Sequence, residues 1–148
     1  MALTNLGNGY RQQKQWEDAR GILQHAVDIA PKDPEANYSL AMVYAQLNDS
    51  EQAYDYLQRA LKYRPAYPEA LNNLGVLYLR TGRRNQAVAS FEECMRVAPE
   101  FEQSYLNLAR VYALEGAPDK AREVLARLLQ RHPDQPQAKE MLRELGSQ

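Results

Sequence analysis

Along residues 69–81 the apolar positions Ala70, Leu71, Leu74, Leu77 and Tyr78 recur at intervals of three and four, the spacing of one helix face. Ala87, Val88, Phe91, Met95 and Val97 repeat that spacing through residues 84–98, so this stretch predicts two amphipathic helices. Gly82 separates them, and a glycine there accepts the left-handed backbone that ends a helix. Pro99 follows the second run and forbids its continuation. Pattern and punctuation together describe a helical hairpin, and no segment alternates with the period of a strand.

The hairpin recurs along the whole chain. Prolines stand at 31, 65, 99 and 133, each 34 residues after the last. The same step links Leu6, Leu40, Leu74 and Leu108, then Tyr10, Tyr44, Tyr78 and Tyr112, then Ala19, Ala53, Ala87 and Ala121. Two further columns keep size without identity: Gly7, Ala41, Gly75, Ala109, and Leu23, Leu57, Phe91, Leu125. The turn column reads Lys14, Asn48, Gly82, Gly116, in which Lys14 is the residue least suited to a left-handed backbone. Asp33-Pro34-Glu35 supplies a cap, a first-turn proline and an acid at a helix start, and Pro118 opens another helix. Because helices approach closely only where side chains are small, the Gly7 column is expected to meet the Ala19 column inside each hairpin. One such hairpin has too little apolar surface to fold alone, so neighbours must stack into a common core.

The 34-residue step, the LG or LA pair with Tyr three residues on, the Ala-rich second helix and the closing Pro resemble the tetratricopeptide repeat. The resemblance covers the whole chain and implies an all-α fold: an α-solenoid of four tandem repeats, 1–33, 34–67, 68–101 and 102–135, in one domain spanning 1–148. It further implies a right-handed superhelix whose inner surface is lined by the first helix of each repeat. The family's frequent Trp is absent from the column Leu3, Asn37, Leu71, Tyr105, and its second-helix Ala is replaced by Cys94 and Leu128. Residues 136–145 keep Ala138 and Leu142 but place Lys139, Arg143 and Gly146 where the repeat is apolar, small and Tyr, which resembles the family's solvating C-terminal helix. No comparable solvation marks residues 1–12. That contrast leads us to expect weak self-association, or a further repeat, at the N-terminal face.

Composition narrows the chemistry. The 148 residues carry 18 Lys plus Arg against 19 Asp plus Glu, and the four repeats balance at +4/−4, +3/−4, +4/−4 and +5/−5. No basic face suggests nucleic acid. His25, His132 and the single Cys94 are too far apart in sequence for a recognisable zinc site, and no cofactor is expected. Cys94 occupies a core column and reads as buried and inert. Gly7-Asn8-Gly9 lies within a helical period, so it reads as helix and not as a phosphate loop. No nucleophile, base and orienting group recur together, so the chain reads as no enzyme. No run approaches the ~18 apolar residues of a membrane span, so insertion is not expected. The absence of an apolar leader favours the cytoplasm without fixing the compartment.

What remains is the inner face. Asn5, Ser39, Asn73 and Asn107 form one column; Asn8, Met42, Val76 and Arg110 lie three residues on; Thr4, Tyr38, Asn72 and Leu106 lie one residue before. Spacings of three and four put each trio on one helical face. An amide side chain both donates and accepts, so a ladder of them matches the backbone of an extended peptide. It resembles the asparagine ladders by which tetratricopeptide proteins hold peptide backbone. The chain is therefore read as a non-catalytic module that takes an extended partner segment. Main-chain contacts fall to Asn5, Asn8, Asn72, Asn73 and Asn107, apolar contacts to Tyr38, Met42, Val76, Leu79 and Leu106, and Arg110 completes the face. A ladder of neutral amides predicts little sensitivity to ligand charge or salt. The family's carboxylate clamp for chaperone tails finds no cation at its matching positions, which disfavours that ligand. The alternative reading is an assembly scaffold that stacks on itself or on further repeats of a longer protein.

Overall fold

The structure is a computed structural model describing residues 1–147. Among these residues nine α-helices and no strand are found: α1 Ala2–Gln12, α2 Trp16–Ile29, α3 Pro34–Gln46, α4 Ser50–Tyr63, α5 Pro68–Arg80, α6 Arg84–Val97, α7 Glu102–Leu114, α8 Pro118–Arg131 and α9 Pro136–Gly146. From α3 onward the odd-numbered helices begin at 34, 68, 102 and 136, following the sequence period.

Each hairpin closes through the same turn. The turn-column residue has positive φ in every repeat: Lys14 at 59°, Asn48 at 62°, Gly82 at 76° and Gly116 at 72°. The next residue donates its backbone N–H to the carbonyl of the column tyrosine, from Gln15 to Tyr10, Asp49 to Tyr44, Arg83 to Tyr78 and Ala117 to Tyr112, at 2.8–2.9 Å. The positive-φ residue itself donates back into the last turn, as Lys14 does to Arg11 and Gly82 to Leu79. This is the Schellman arrangement, and it satisfies helix carbonyls that would otherwise be orphaned. At the other end of the helices, proline occupies the first turn of α3, α5, α8 and α9. Asp33 accepts from the Glu35 N–H at 3.1 Å, as its place before Pro34 suggests.

The close contact inside the hairpin differs from the expectation in one respect. A Cβ built on Gly7 would lie 2.5 Å from Leu23 Cγ, and one on Gly75 would lie 2.5 Å from Phe91 Cε1. The small column therefore seats the large column that lies one helical turn beyond Ala19 and Ala87: a missing side chain on one helix houses a bulky one on the other. Ala41, Ala53, Ala87, Ala109 and Ala121 are fully buried in the same core.

Between hairpins, each second helix packs on the next first helix, and first helices also touch one another, α1 on α3, α5 on α7, α7 on α9. Among the described residues, second helices make no comparable contact with each other, so the array curves with the first helices inside. The column Asn37 and Tyr105 fastens the inter-repeat turns. Asn37 Nδ2 donates to the Pro31 carbonyl at 3.0 Å, and the Tyr105 hydroxyl donates to the Pro99 carbonyl at 3.0 Å. Arg80 reaches across to α3 and donates to the Ala45 carbonyl at 3.1 Å and Asn48 Oδ1 at 3.0 Å, closing that helix end. Among the described residues no helix is long and apolar enough to cross a membrane.

The glycines provide a direct test of this packing. Gly21 has no atom within 4 Å of a would-be Cβ, so Gly21→Ala should stabilise the helix by about 0.5–1 kcal/mol. Gly75→Ala must displace the Phe91 ring and should cost about 1–3 kcal/mol. Lys14→Gly should relieve the left-handed turn and gain about 1 kcal/mol. Urea unfolding of the three variants checks all three signs.

Candidate binding surface on the first-helix face

The inner face is built from the exposed sides of α1, α3, α5 and α7. Its residues follow from helix geometry, since positions three and four apart share a face and the opposite side of each helix is committed to the core. Three depressions run across it in chain order. The first, about 250 Å³, lies between Arg11, Gln12, Trp16, Met42 and Gln46. A narrower one of about 100 Å³ lies among Met42, Gln46, Asn73, Val76 and Arg80. The third, about 250 Å³, is lined by Leu79, Gly82, Arg84, Asn107, Arg110, Val111 and Leu114. Met42 and Gln46 border the first two, so the depressions form one interrupted track over the repeats.

The expected site residues divide into three groups. Asn5 and Arg110 are exposed and Asn8, Tyr38, Met42, Asn73 and Val76 half-buried; Met42, Asn73, Val76 and Arg110 line the depressions, whereas Asn5, Asn8 and Tyr38 line none of them. Leu79 stands at the edge of the third depression. Leu106, at 2% exposure, belongs to the hydrophobic core and lines no groove. Its position one residue before Asn107 turns it toward the neighbouring helix instead of solvent.

The amide ladder is largely spent inside the protein. Asn107 Nδ2 donates to Asn72 Oδ1 at 2.9 Å, and both residues are buried. The Asn107 oxygen accepts from Gln103 and Arg110, each at 3.3 Å. Asn73 Nδ2 donates to the Tyr38 hydroxyl at 3.0 Å and to the Glu69 carbonyl at 2.8 Å. Asn72 and Asn107 thus fasten α5 to α7, and Asn73 with Tyr38 fastens α5 to α3. Asn8 differs, because its Oδ1 is buried with no hydrogen-bond partner, as is Arg11 Nε one turn along the same helix.

Tyr38 is also part of the joint between repeats. Its ring lies 5.0 Å from that of Tyr67 in a tilted pair. Burial raises the Tyr38 hydroxyl above its usual pKa, partly offset by the Arg11 charge. Burial, with Tyr38 nearby, pushes Tyr67 up to about 12, while the Arg64 guanidinium 4.5 Å from its ring centre pulls the other way.

The columns read from sequence omit Arg11, Gln12, Trp16, Gln46, Arg80 and Leu114. For most of these the signal was present: Arg11 and Gln12 follow Asn8 by three and four, as Leu79 and Arg80 follow Val76, and Leu114 follows Arg110 by four. Extending each inner column by one helical turn finds them.

Family models described as tetratricopeptide repeat match residues 1–66, 35–100 and 82–145, so the chain belongs to the tetratricopeptide repeat family. No curated protein matches it. Among solved structures it is similar to MamA, with 26% identity over 88% of this chain and 77% of that one, at a TM-score of 0.82. It is also similar to the Pseudomonas aeruginosa pilF protein, with 26% identity over 97% of this chain and 66% of that one, at a TM-score of 0.86. A third likeness is YrrB, described as a tetratricopeptide protein with an unusual peptide-binding site. It is 24% identical over 94% of this chain and 72% of that one, at a TM-score of 0.78, and it shares the fold.

The raised tyrosines make stability depend on alkaline pH. The folded chain holds the Tyr67 proton more tightly than the unfolded chain, whose tyrosine titrates near 10. This contribution is complete below pH 10 and is lost as pH rises from 10 toward about 12. Melting midpoints should therefore fall over that interval, and Tyr67→Phe should flatten the fall.

Proposed function

We propose that this member of the tetratricopeptide repeat family is a non-catalytic interaction module that holds an extended segment of a partner protein along its first-helix face. The observation that carries the reading is the track of depressions from Trp16 to Leu114, bordered by the apolar Met42, Val76 and Leu79 and by polar side chains. First helices packed about 8–10 Å apart give the track a length of about 24–30 Å, which about seven to nine extended residues would span. Met42, Val76 and Leu79 supply apolar contact. Asn73, which lines the second depression, supplies hydrogen bonds to the segment, and Asn5 and Asn8 continue the polar first-helix face beyond the depressions. Asn72 and Asn107 serve by holding the two helices beneath the track in register. The peptide-binding site ascribed to YrrB, a protein of this fold, supports peptide capture as a use of such an array.

A phage-displayed peptide selection on the full chain, followed by titration calorimetry, tests the reading. The Met42→Ala and Val76→Ala double variant should lose about 1–3 kcal/mol of binding, roughly 5- to 100-fold in Kd. Glu92→Gln with Glu93→Gln on α6 should change Kd by less than about twofold. Selected peptides that bind the Met42/Val76 variant as tightly as the parent would remove the track as the site.

One observation favours the second reading, an assembly scaffold. Leu40, Leu74 and Leu108 are 0%, 5% and 1% exposed, each on a helix that packs against the preceding second helix, whereas Leu6 is 49% exposed and Met1 and Ile29 stand open near it. A second copy of the chain meeting this face would cover the same apolar column that each internal junction covers. Sedimentation equilibrium should then show dimers that Leu6→Lys abolishes, and a strict monomer at high concentration would rule out self-association and leave further repeats of a longer protein as the cover for this face.

A further inference from the structure

We propose, building on the groove reading above, that the captured segment is acidic, with an apolar anchor seated between Leu79 and Leu114 and a neighbouring carboxylate on Arg110. The chain holds 13 arginines. Among the described residues, Arg20, Arg84, Arg96, Arg122, Arg131 and Arg143 each pair with a carboxylate. Arg59, Arg64, Arg83 and Arg127 lie over tyrosine rings. The three left with neither are Arg11, Arg80 and Arg110, and these are the arginines of the first helices α1, α5 and α7. The arginines on the second helices and in the turns are already matched, including Arg84 at the rim of the third depression; those on the first helices are not.

Placement strengthens the asymmetry. The acids of the first helices, Glu35, Glu69 and Glu102, sit in the first turn, while Arg11 and Arg80 sit in the last turn. Glu69 and Arg80 are eleven residues apart, or about 16 Å along the axis. The last-turn edge of the track therefore carries Arg11 and Arg80. Beside the third depression Glu115 is already engaged by Arg84 at 3.5 Å, which leaves Arg110 as the cation there with no carboxylate partner among the described residues. Of the three arginines, Arg80 spends donors on the Ala45 carbonyl and Asn48, and Arg110 reaches Asn107 at 3.3 Å. Arg11 holds a buried Nε with no acceptor, and among the described residues no carboxylate pairs with its guanidinium.

Beside Arg110 lies the third depression, in which Leu114 is 83% exposed and Leu79 and Val111 form apolar walls. An anchor seated against Leu79 on α5 and a carboxylate on Arg110 of α7 are one helix spacing apart, about 8–10 Å, close to the ~7 Å between side chains i and i+2 on one face of an extended chain that crosses the first helices. The ligand pattern is then an apolar residue, any residue, and Asp or Glu. A second acid about seven to nine residues away would reach Arg11 across the repeats. Three arginines in a strip interrupted by apolar hollows, on a chain of net charge −1, do not make a phosphate-backbone surface.

The test uses the full chain and peptides enriched by phage display, resynthesised with each Glu or Asp changed to Gln or Asn and the anchor changed to Ser. Titrations run on the parent and on Arg11→Gln/Arg110→Gln, whose unchanged melting midpoint shows that the fold is intact. We expect enrichment of the apolar-x-acidic pattern and a loss of about tenfold for neutralising the acid beside the anchor. That loss should vanish on the arginine variant, as coupling requires. Raising salt from ~0.05 to ~0.5 M should weaken binding several-fold, the reverse of what the neutral amide ladder predicts, because Asn72, Asn73 and Asn107 bond within the protein and Arg110 makes the charged contact. Neutral or basic peptides that still depend on Met42 and Val76 would overturn the acidic ligand and leave the groove reading standing. Peptides indifferent to Met42 and Val76, or no enrichment at all, would overturn the groove reading itself. Phosphoserine binding more than about tenfold tighter than Glu at the same position would replace the carboxylate by a phosphate as the ligand group.

Discussion

The array depends on how little stands at one crossing of each hairpin, where the column reads Gly7, Ala41, Gly75 and Ala109. Where α1 and α5 cross their partners, Gly7 and Gly75 leave the space that Leu23 and Phe91 fill, and even a methyl group there would lie 2.5 Å from the facing atoms. This fixes how closely and at what angle the two helices of a hairpin meet. The Schellman turn fixes the same hairpin at its end, with the tyrosine carbonyl accepting from the residue after the left-handed one. A hairpin held at two points has a defined shape, and hairpins of the same shape can stack in register.

Stacking then supplies the stability that no hairpin has alone. Each first helix from α3 onward covers the apolar side of the second helix before it, and the core runs as one cluster from Ala19 to Leu145. Cross-repeat hydrogen bonds set the register of that stack: Asn107 to Asn72, Asn73 to Tyr38, Arg80 to Ala45 and Asn48. These bonds lie on the inner surface, so the side chains that hold first helices together also shape the track between them.

The parts of this architecture set by local geometry were legible in the sequence. A period of 34, a left-handed turn column that includes the unfavourable Lys14, and prolines opening helices all act within a few residues of themselves. The parts set by reach across repeats were not. The small column was expected against Ala19 and Ala87, because similarity of size suggested mutual approach, yet the structure pairs small with large. Asn72 and Asn107 were expected to face a ligand, but these residues, one repeat apart, bond each other. A column shows which side of a helix a residue is on. It does not reveal whether a neighbouring helix has already taken the amide. Leu106 was lost to the core by the same step, and Arg11, Arg80 and Leu114 lay one turn beyond the columns considered.

The division between the two helix layers explains how one scaffold can carry a specific surface without endangering its fold. Along the core columns the repeats hold nearly the same residues, Leu6 to Leu108 and Ala19 to Ala121. Along one inner column they hold Asn8, Met42, Val76 and Arg110: an amide, a thioether, a branched hydrocarbon and a guanidinium. Substitution there changes what the surface attracts and removes little from the core, because these side chains are only half-buried or exposed. Stacking then turns separate choices into a linear sequence of chemistries spaced by one helix width. An extended segment, with side chains every ~7 Å on one face, is the kind of ligand able to meet several of them in order. Among the described residues Arg11, Arg80 and Arg110 pair with no carboxylate, while the second-helix arginines Arg20, Arg84, Arg96 and Arg122 each do. In the proposed complex, a carboxylate of the bound segment would complete the charge of Arg110 on this inner face.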